Sequence, residues 1–207
     1  MRTFLLPREL KARLEATAET LPPGDFIRKP QHQALKDTWC AAHFGIGYER
    51  HVAPCTIWVN DEQNSDTDYI LHIASGCFPF QATLADVPDR RMSNDHKPGP
   101  DGRFAMQPYE PDRGEIEGPD WIARAVKNKI AAHYSAAKTL NLLVYANFSA
   151  ARLNYLTVKE RLNQYLGKFA SIWVVTNHQI CSIASFPALG EIPELRLIYD
   201  PQEYAAL

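Results

Sequence analysis

Two largely apolar runs in the second half of the chain constrain its fold more than any other feature. They are LNLLVYANF at residues 140–148 and SIWVVTN at residues 171–177. A strand that is apolar at successive positions is buried on both faces, which is typical of a parallel sheet with helices on each side. Between the two runs, residues 153–166 have the apolar spacing of an amphipathic helix. The second half of the chain therefore predicts alternating helices and buried strands, the pattern of an α/β protein.

The first half predicts two helices followed by three short strands. The helices are expected over Pro7–Thr20 and from near Pro30 to the glycines at positions 45 and 47, with Leu35 and Trp39 facing inward. The strands are expected at residues 56–60 (TIWVN), 68–74 (DYILHIA) and 77–84 (CFPFQATL). The turn signal Ser75-Gly76 joins the last two strands as a tight hairpin.

A segment rich in proline and glycine separates the two halves. Six of the fifteen prolines lie between residues 88 and 119, and we interpret residues 85–119 as a long insertion. A helix over Pro119–Thr139 is expected to follow, and LRLIY at residues 195–199 predicts a last edge strand. These elements predict one α/β domain over residues 1–207, built on a single mixed β-sheet flanked by helices, with a helical lead-in over residues 1–29.

The composition excludes several classes of protein. The formal net charge is −2, so the chain as a whole generates no positive field that would attract nucleic acid or an acidic membrane. No apolar run approaches the roughly 18 residues that a membrane span requires. The four cysteines form no CxxC pair, and Cys40 with His43 fits buried core residues better than metal ligands. We expect a soluble protein of the cytoplasm that does not interact with membranes.

The hairpin brings two oxygen-bearing side chains together. A two-residue turn at Ser75-Gly76 pairs position 74 with 77, 70 with 81 and 68 with 83. Because side chains alternate, Asp68 and Gln81 then share one face of the sheet as diagonal neighbours. Their oxygens could hold one hard cation. His72 lies on the same face, and we interpret it as a half-exposed strand histidine.

Lys129 is the second unusual residue. On a helical wheel it falls within the apolar stripe formed by Ile122, Val126 and Ile130. A lysine on an apolar face snorkels to solvent, pairs with a carboxylate or serves a site. Asp68 is its expected partner. A purely structural Lys–Asp pair would explain this position as well as a functional site would.

Together these features resemble the PD-(D/E)xK, or restriction-endonuclease-like, nucleases over about residues 30–185. In this resemblance the second-strand aspartate and a third-strand glutamate bind Mg²⁺, a nearby lysine acts on the attacking water, and an acid on the first helix assists. The residues that carry the resemblance are Asp68, Gln81 at the glutamate position, Thr83 at the lysine position, Ile122, Val126, Lys129, Tyr134 and LLVY at residues 142–145.

The resemblance implies that Asp68 and Gln81 bind Mg²⁺ and that Lys129 replaces the lysine missing at Thr83. Asp37 is the acid available on the first helix, but it lies nearly opposite Leu35 on the wheel, so we expect it to face solvent.

We therefore expect a Mg²⁺-dependent hydrolase, an endonuclease-like protein that acts on nucleic acid phosphodiesters. The alternative is a nuclease-fold binding or assembly module without catalytic activity. Three features favour this alternative: the amide at Gln81, the absence of a lysine at Thr83 and the net charge of −2. Homo-oligomers formed through the sheet end at residues 195–199 are a third hypothesis. Within the insertion, the Arg90-Arg91 pair is the candidate for contacting a nucleic acid backbone.

Overall fold

The structure is a computed structural model that describes residues 2–22, 25, 32–60, 62, 65–88, 111–132, 137–148, 153–185 and 187–204. Its helices are α1 (Pro7–Glu19), α2 (Gln33–His51), α3 (Pro111–Ala131), α4 (Tyr155–Leu162) and the single turn α5 (Pro201–Tyr204). Its strands are β1 (Thr56–Val59), β2 (Tyr69–Ile73), β3 (Gly76–Ala85), β4 (Asn141–Ala146), β5 (Ser171–Val175), β6 (Gln179–Ala184) and β7 (Arg196–Leu197). The predicted Arg90-Arg91 contact and Tyr134 lie outside the described residues.

All seven strands form one mixed sheet whose spatial order is the same as their order in the chain. The strands β1, β2 and β3 are antiparallel neighbours, β3 to β5 run parallel, and β6 and β7 return antiparallel. This arrangement confirms the predicted α/β class with a single mixed sheet. No helix among the described residues is long and apolar enough to cross a membrane.

The central strands are buried on both faces, as their continuous apolar runs predict. On one face Leu143 and Tyr145 of β4 pack in a cluster with residues of α1 and α2. On the other face Leu142 and Val144 pack against α3, where Ile122 is fully buried. Because successive side chains of a strand point to opposite faces, each residue of β4 contributes to one of two cores.

Helix α2 does not end at its glycines, so the predicted helix end at positions 45 and 47 is wrong. A Cβ atom at Gly45 would lie 2.5 Å from Ile57 Cδ1, and one at Gly47 would lie 2.9 Å from Ile180 Cγ2. Both glycines therefore allow α2 to approach the sheet closely. The helix continues to His51 because this packing outweighs the modest cost of glycine in a helix interior.

Helix α3 begins at Pro111, eight residues before the predicted start at Pro119. The end of the predicted insertion is therefore helical, and Pro119 lies inside the helix. Gly118 lets this part of the helix pack closely, since a Cβ atom there would lie 2.4 Å from the Phe148 ring. The glycine content that indicated a loop instead allows close helix packing.

Both ends of the described chain join the core. Leu10 and Leu14 of α1 are buried, and Leu5 forms an isolated bridge with Ile57 of β1. The N-terminal segment is thus more than a lead-in to the fold. At the other end, β7 pairs with β6 through two exposed residues, whereas the following Ile198 and Tyr199 are buried. Self-association through this end remains a prediction.

Candidate functional site

The site lies where the sheet narrows. Strand β2 begins at Tyr69, which pairs with Phe80, but β3 continues to Ala85. Strand β4 pairs with the opposite edge of β3, with Gln81 opposite Leu142, and this pairing continues to Ala85. Within the part of the chain that the structure describes, one backbone edge of β3 is therefore not paired with a strand over its second half. We call this place the notch.

Asp68 occupies the notch immediately before β2. Its backbone N–H donates to the Phe80 carbonyl at 2.9 Å, which fixes the residue against β3. Its carboxylate oxygen Oδ2 accepts hydrogen bonds from the Ala82 backbone N–H at 2.7 Å and from Gln81 Nε2 at 2.5 Å. The carboxylate thus satisfies a donor on the edge of β3 where the strand neighbour is missing.

The predicted hairpin register is wrong by two residues. Ile73 pairs with Gly76, so the turn residues are Ala74 and Ser75, and the glycine follows the turn with φ of 140°. A shift of two residues leaves every side chain on its predicted face. Asp68 and Gln81 therefore still share a face, and they are in direct hydrogen-bond contact rather than diagonal neighbours.

Gln81 has an incomplete set of hydrogen bonds. The residue is 5% exposed, and its Oε1 atom has no hydrogen-bond partner. Leaving a buried amide oxygen without a donor costs about 1–3 kcal/mol. The Nε2 atom of the same amide contacts the Asp68 carboxylate, so a rotation of the amide would be needed for one cation to contact Oε1 and Asp68 together. Gln81 Oε1 is thus a buried acceptor at the notch that no described donor satisfies.

Lys129 approaches the notch from the last turn of α3. Its positive charge lowers the pKa values of both Asp68 and Asp37, so it lies within electrostatic reach of the two acids. Lys129 and Asp68 are each half-buried, so solvent reaches both residues. The charge of Lys129 therefore acts on Asp68, and the direct pairing of the two residues stays a prediction.

Asp37 does not simply face solvent, and that prediction is wrong. Burial raises its pKa, and its negative charge in turn raises the pKa of Asp68. The helical wheel assumed that Leu35 and Trp39 mark the buried face of α2. Both are only half-buried, as are all the residues from 34 to 40, so the opposite face is not simply exposed. The fully buried part of α2 starts at Ala41, so the preceding turns, which carry Asp37, are half-buried whichever way their residues face.

The two acids repel each other and are partly withdrawn from water. Burial is the largest cause of the shift in Asp68, whose pKa rises to about 6, and Asp37 adds to it. The Ala82 N–H, Lys129 and Gln81 all act in the opposite direction. A cation placed between the acids would lower the pKa values of both. A positive ion at the notch would therefore relieve the repulsion between the two acids.

Other predicted residues lie outside this group. His72 is exposed, contacts the Phe4 ring and lies 3.4 Å from the Thr56 hydroxyl. His43 is buried with its Nδ1 atom 2.9 Å from the Tyr199 hydroxyl, in keeping with a core histidine. Thr83 is half-buried on β3, two residues beyond Gln81, and supplies no charge.

Comparison of the chain with protein-family models, with curated proteins and with solved structures finds no match. Asp68 and Gln81 come from neighbouring strands, Asp37 from α2 and Lys129 from α3, on opposite sides of the sheet. Together they define a mixed-charge site with two acids, one amide and one cation at the edge of the narrowing sheet.

Proposed function

We propose that the protein is a Mg²⁺-dependent phosphodiesterase of the restriction-endonuclease-like type that acts on nucleic acid. Asp68 and Gln81 would hold the cation, and Lys129 would stabilise the charge on the phosphoryl group. The observation that supports this most strongly is the unpartnered Oε1 atom of buried Gln81, a residue whose Nε2 atom contacts the Asp68 carboxylate. Mg²⁺ prefers such oxygen ligands and keeps several waters, so two protein oxygens are a workable minimum.

The residues present fit such a cation, although the protein ligand set is small. Among the described residues, no three side chains of His, Cys, Asp or Glu are arranged to hold a metal. The cage would therefore consist of one carboxylate, one amide oxygen and solvent, with Asp37 as a second negative charge nearby. When bound, a divalent cation supplies Lewis-acid polarisation of a phosphoryl oxygen.

The chain's own groups have separate tasks in this proposal. Asp68 supplies a formal negative charge, since a pKa of about 6 leaves it mostly ionised at neutral pH. Gln81 supplies a neutral oxygen and can present it after a rotation of the amide. Lys129 places its positive charge where negative charge develops on the phosphate. Asp37 strengthens the local negative field that attracts the cation.

A catalytically inactive binding module is the second candidate, and one observation favours it. Gln81 donates to Asp68, so the two proposed ligands already satisfy each other in part. In that case the same contact would only seal the edge of β3. The two candidates differ in whether phosphodiester bonds are broken.

A cleavage assay tests the proposal. We expect the purified protein to cut single- or double-stranded DNA or RNA in the presence of Mg²⁺ or Mn²⁺, and chelation to stop it. We expect Asp68→Asn to abolish cutting, because it removes the only full charge assigned to the cation while keeping an acceptor for the Ala82 N–H. Asp120→Asn is the matched control, since Asp120 is an exposed partner of Arg161.

The assay has two informative failures. Absence of cutting by the wild-type protein on all four substrates, with binding retained, would support the inactive module. Undiminished cutting by Asp68→Asn would place the active site elsewhere in the molecule.

A further inference from the structure

A cleft of about 490 Å³ lies next to the notch on β1 and β2. Its lining includes Trp58 and Ile70, which are paired across the two strands and so share one face. Ile70 follows Asp68 by two residues, and alternation along the strand puts both on that same face. Helix α3 packs on β3 and β4, which lie farther along the sheet. The cleft and the notch therefore form adjoining parts of one surface.

Trp58 gives the cleft a flat aromatic surface. Its indole is half-buried, and the guanidinium carbon of Arg2 lies 4.4 Å from the ring centroid. An arginine plane over an indole occupies the position that another flat group could take. Aromatic side chains in such settings stack on nucleic acid bases regardless of sequence, because every base has a π-face.

The rim of the cleft suits a base better than a phosphate. It includes the Glu62 carboxylate, which repels phosphate, and the hydroxyl residues Ser65 and Thr67. Carboxylates and hydroxyls are hydrogen-bond partners for the polar edges of bases. Arg2, which is exposed, can move from the ring to the sugar–phosphate backbone while a base takes its place.

The spacing connects the cleft with the proposed reaction. Thr67 lines the cleft and precedes Asp68 directly, and Ile70 lies about 7 Å from Asp68 along the strand. One nucleotide can span that separation, with its base in the cleft and its phosphate at the notch. A base inside a duplex cannot do this, because it is stacked and paired.

We propose, building on the phosphodiesterase function above, that Trp58 stacks on an unpaired base and that the substrate is single-stranded or locally unpaired nucleic acid. Trp58 is then a substrate-binding residue that sets strandedness. Asp68, Gln81 and Lys129 act on the phosphate that follows.

Nucleic acid binding measured without metal tests the Trp58 stacking site separately from catalysis. The probe is a fluorescein-labelled DNA single strand of about 12 nucleotides, compared with its duplex, in the presence of chelator. We expect tighter binding of the single strand, and we expect Trp58→Ala to weaken it roughly 5- to 100-fold. Trp58→Phe should retain most of the affinity. His72→Ala is the matched control, because His72 is exposed on the same sheet face outside the cleft.

The outcomes for the two proposals are distinct. Trp58-dependent binding of single strands without any cleavage would support the stacking site and overturn the enzyme. Cleavage that depends on Asp68 but is equally fast in Trp58→Ala would overturn the stacking site and leave the enzyme intact. Equal affinity for duplex and single strand would also overturn the stacking site. A circular dichroism spectrum like that of the wild type shows that Trp58→Ala is folded.

Discussion

Replacing Lys129 by methionine is expected to lower metal-dependent cleavage at neutral pH by roughly 10²- to 10⁴-fold, the range for removing one charged or proton-handling group from an active site. Lys129 lowers the pKa values of Asp68 and Asp37, so its loss should raise both. Less Asp68 would then be ionised at neutral pH. The cleavage rate of the variant should therefore begin to fall at a higher pH than that of the wild type as the solution is made more acidic; we call this fall the acid limb.

Lys127→Met is the matched control for this experiment. Lys127 lies two residues earlier on α3 and is exposed, whereas Lys129 is half-buried. The control should change neither the rate nor the pH profile. If Lys129→Met cuts as fast as the control and its acid limb does not move, Lys129 has no part in the site. An NMR titration of the Asp68 carboxyl group checks the expected pKa change without relying on activity.

The second large effect concerns stability and its dependence on pH. Asp68→Asn is expected to raise the free energy of unfolding at about pH 8, in chelator, by about 1–2 kcal/mol. The folded-state pKa of Asp68 is raised from 3.8 to about 6, because burial disfavours its charged form. The stability that this group contributes is thus fully present below pH 3.8 and is lost as the pH rises through 6. The full shift of about two pH units would correspond to about 3 kcal/mol, and solvent access to this half-buried group reduces it.

Asparagine avoids the cost of ionisation and still accepts a hydrogen bond from the Ala82 N–H. The stability advantage of the variant should vanish near pH 4, where Asp68 in the folded protein is protonated. Urea denaturation of both proteins at several pH values provides the test. His43, whose pKa is lowered to about 3 by burial, affects both proteins equally and cancels in the difference. A variant that is less stable at every pH would show that Asp68 is a structural residue alone.

Such a gain would mean that the wild-type protein retains a destabilising charge in the notch. Residues of this kind are typical of functional sites, where stability is given up for chemistry. Addition of Mg²⁺ should then stabilise the wild-type protein, because a ligand that binds the folded state shifts unfolding by mass action.

The sequence predicts the sheet better than the helices. The runs at residues 140–148 and 171–177 indicate strands buried on both faces, and β4 and β5 are such strands. Glycine is ambiguous by comparison. Gly45 and Gly118 suggested a helix end and a loop, yet both permit close contact, with Ile57 and Phe148 respectively. A sequence alone does not show which partner requires the missing Cβ atom.

The candidate site shows a similar division. Side-chain alternation is sufficient to place Asp68 and Gln81 on one face even when the hairpin register is wrong by two residues. Lys129 stands out as a charge within an apolar stripe. Asp37 could not be predicted, because its half-buried environment depends on where along α2 full burial begins. Trp58 gave no signal in the sequence, since its cleft depends on Arg2 and the loop at residues 65–67.

Calorimetric titration with Mg²⁺ tests most directly whether the notch is a cation site. The account predicts one saturable binding event in the wild-type protein and in Asp120→Asn, and no such event in Asp68→Asn. At pH 6, where Asp68 is about half protonated, binding should also release protons, because the cation lowers the pKa of the carboxyl group. A wild-type protein that gives no heat of binding, or an Asp68→Asn protein that gives the same heat, would contradict the account.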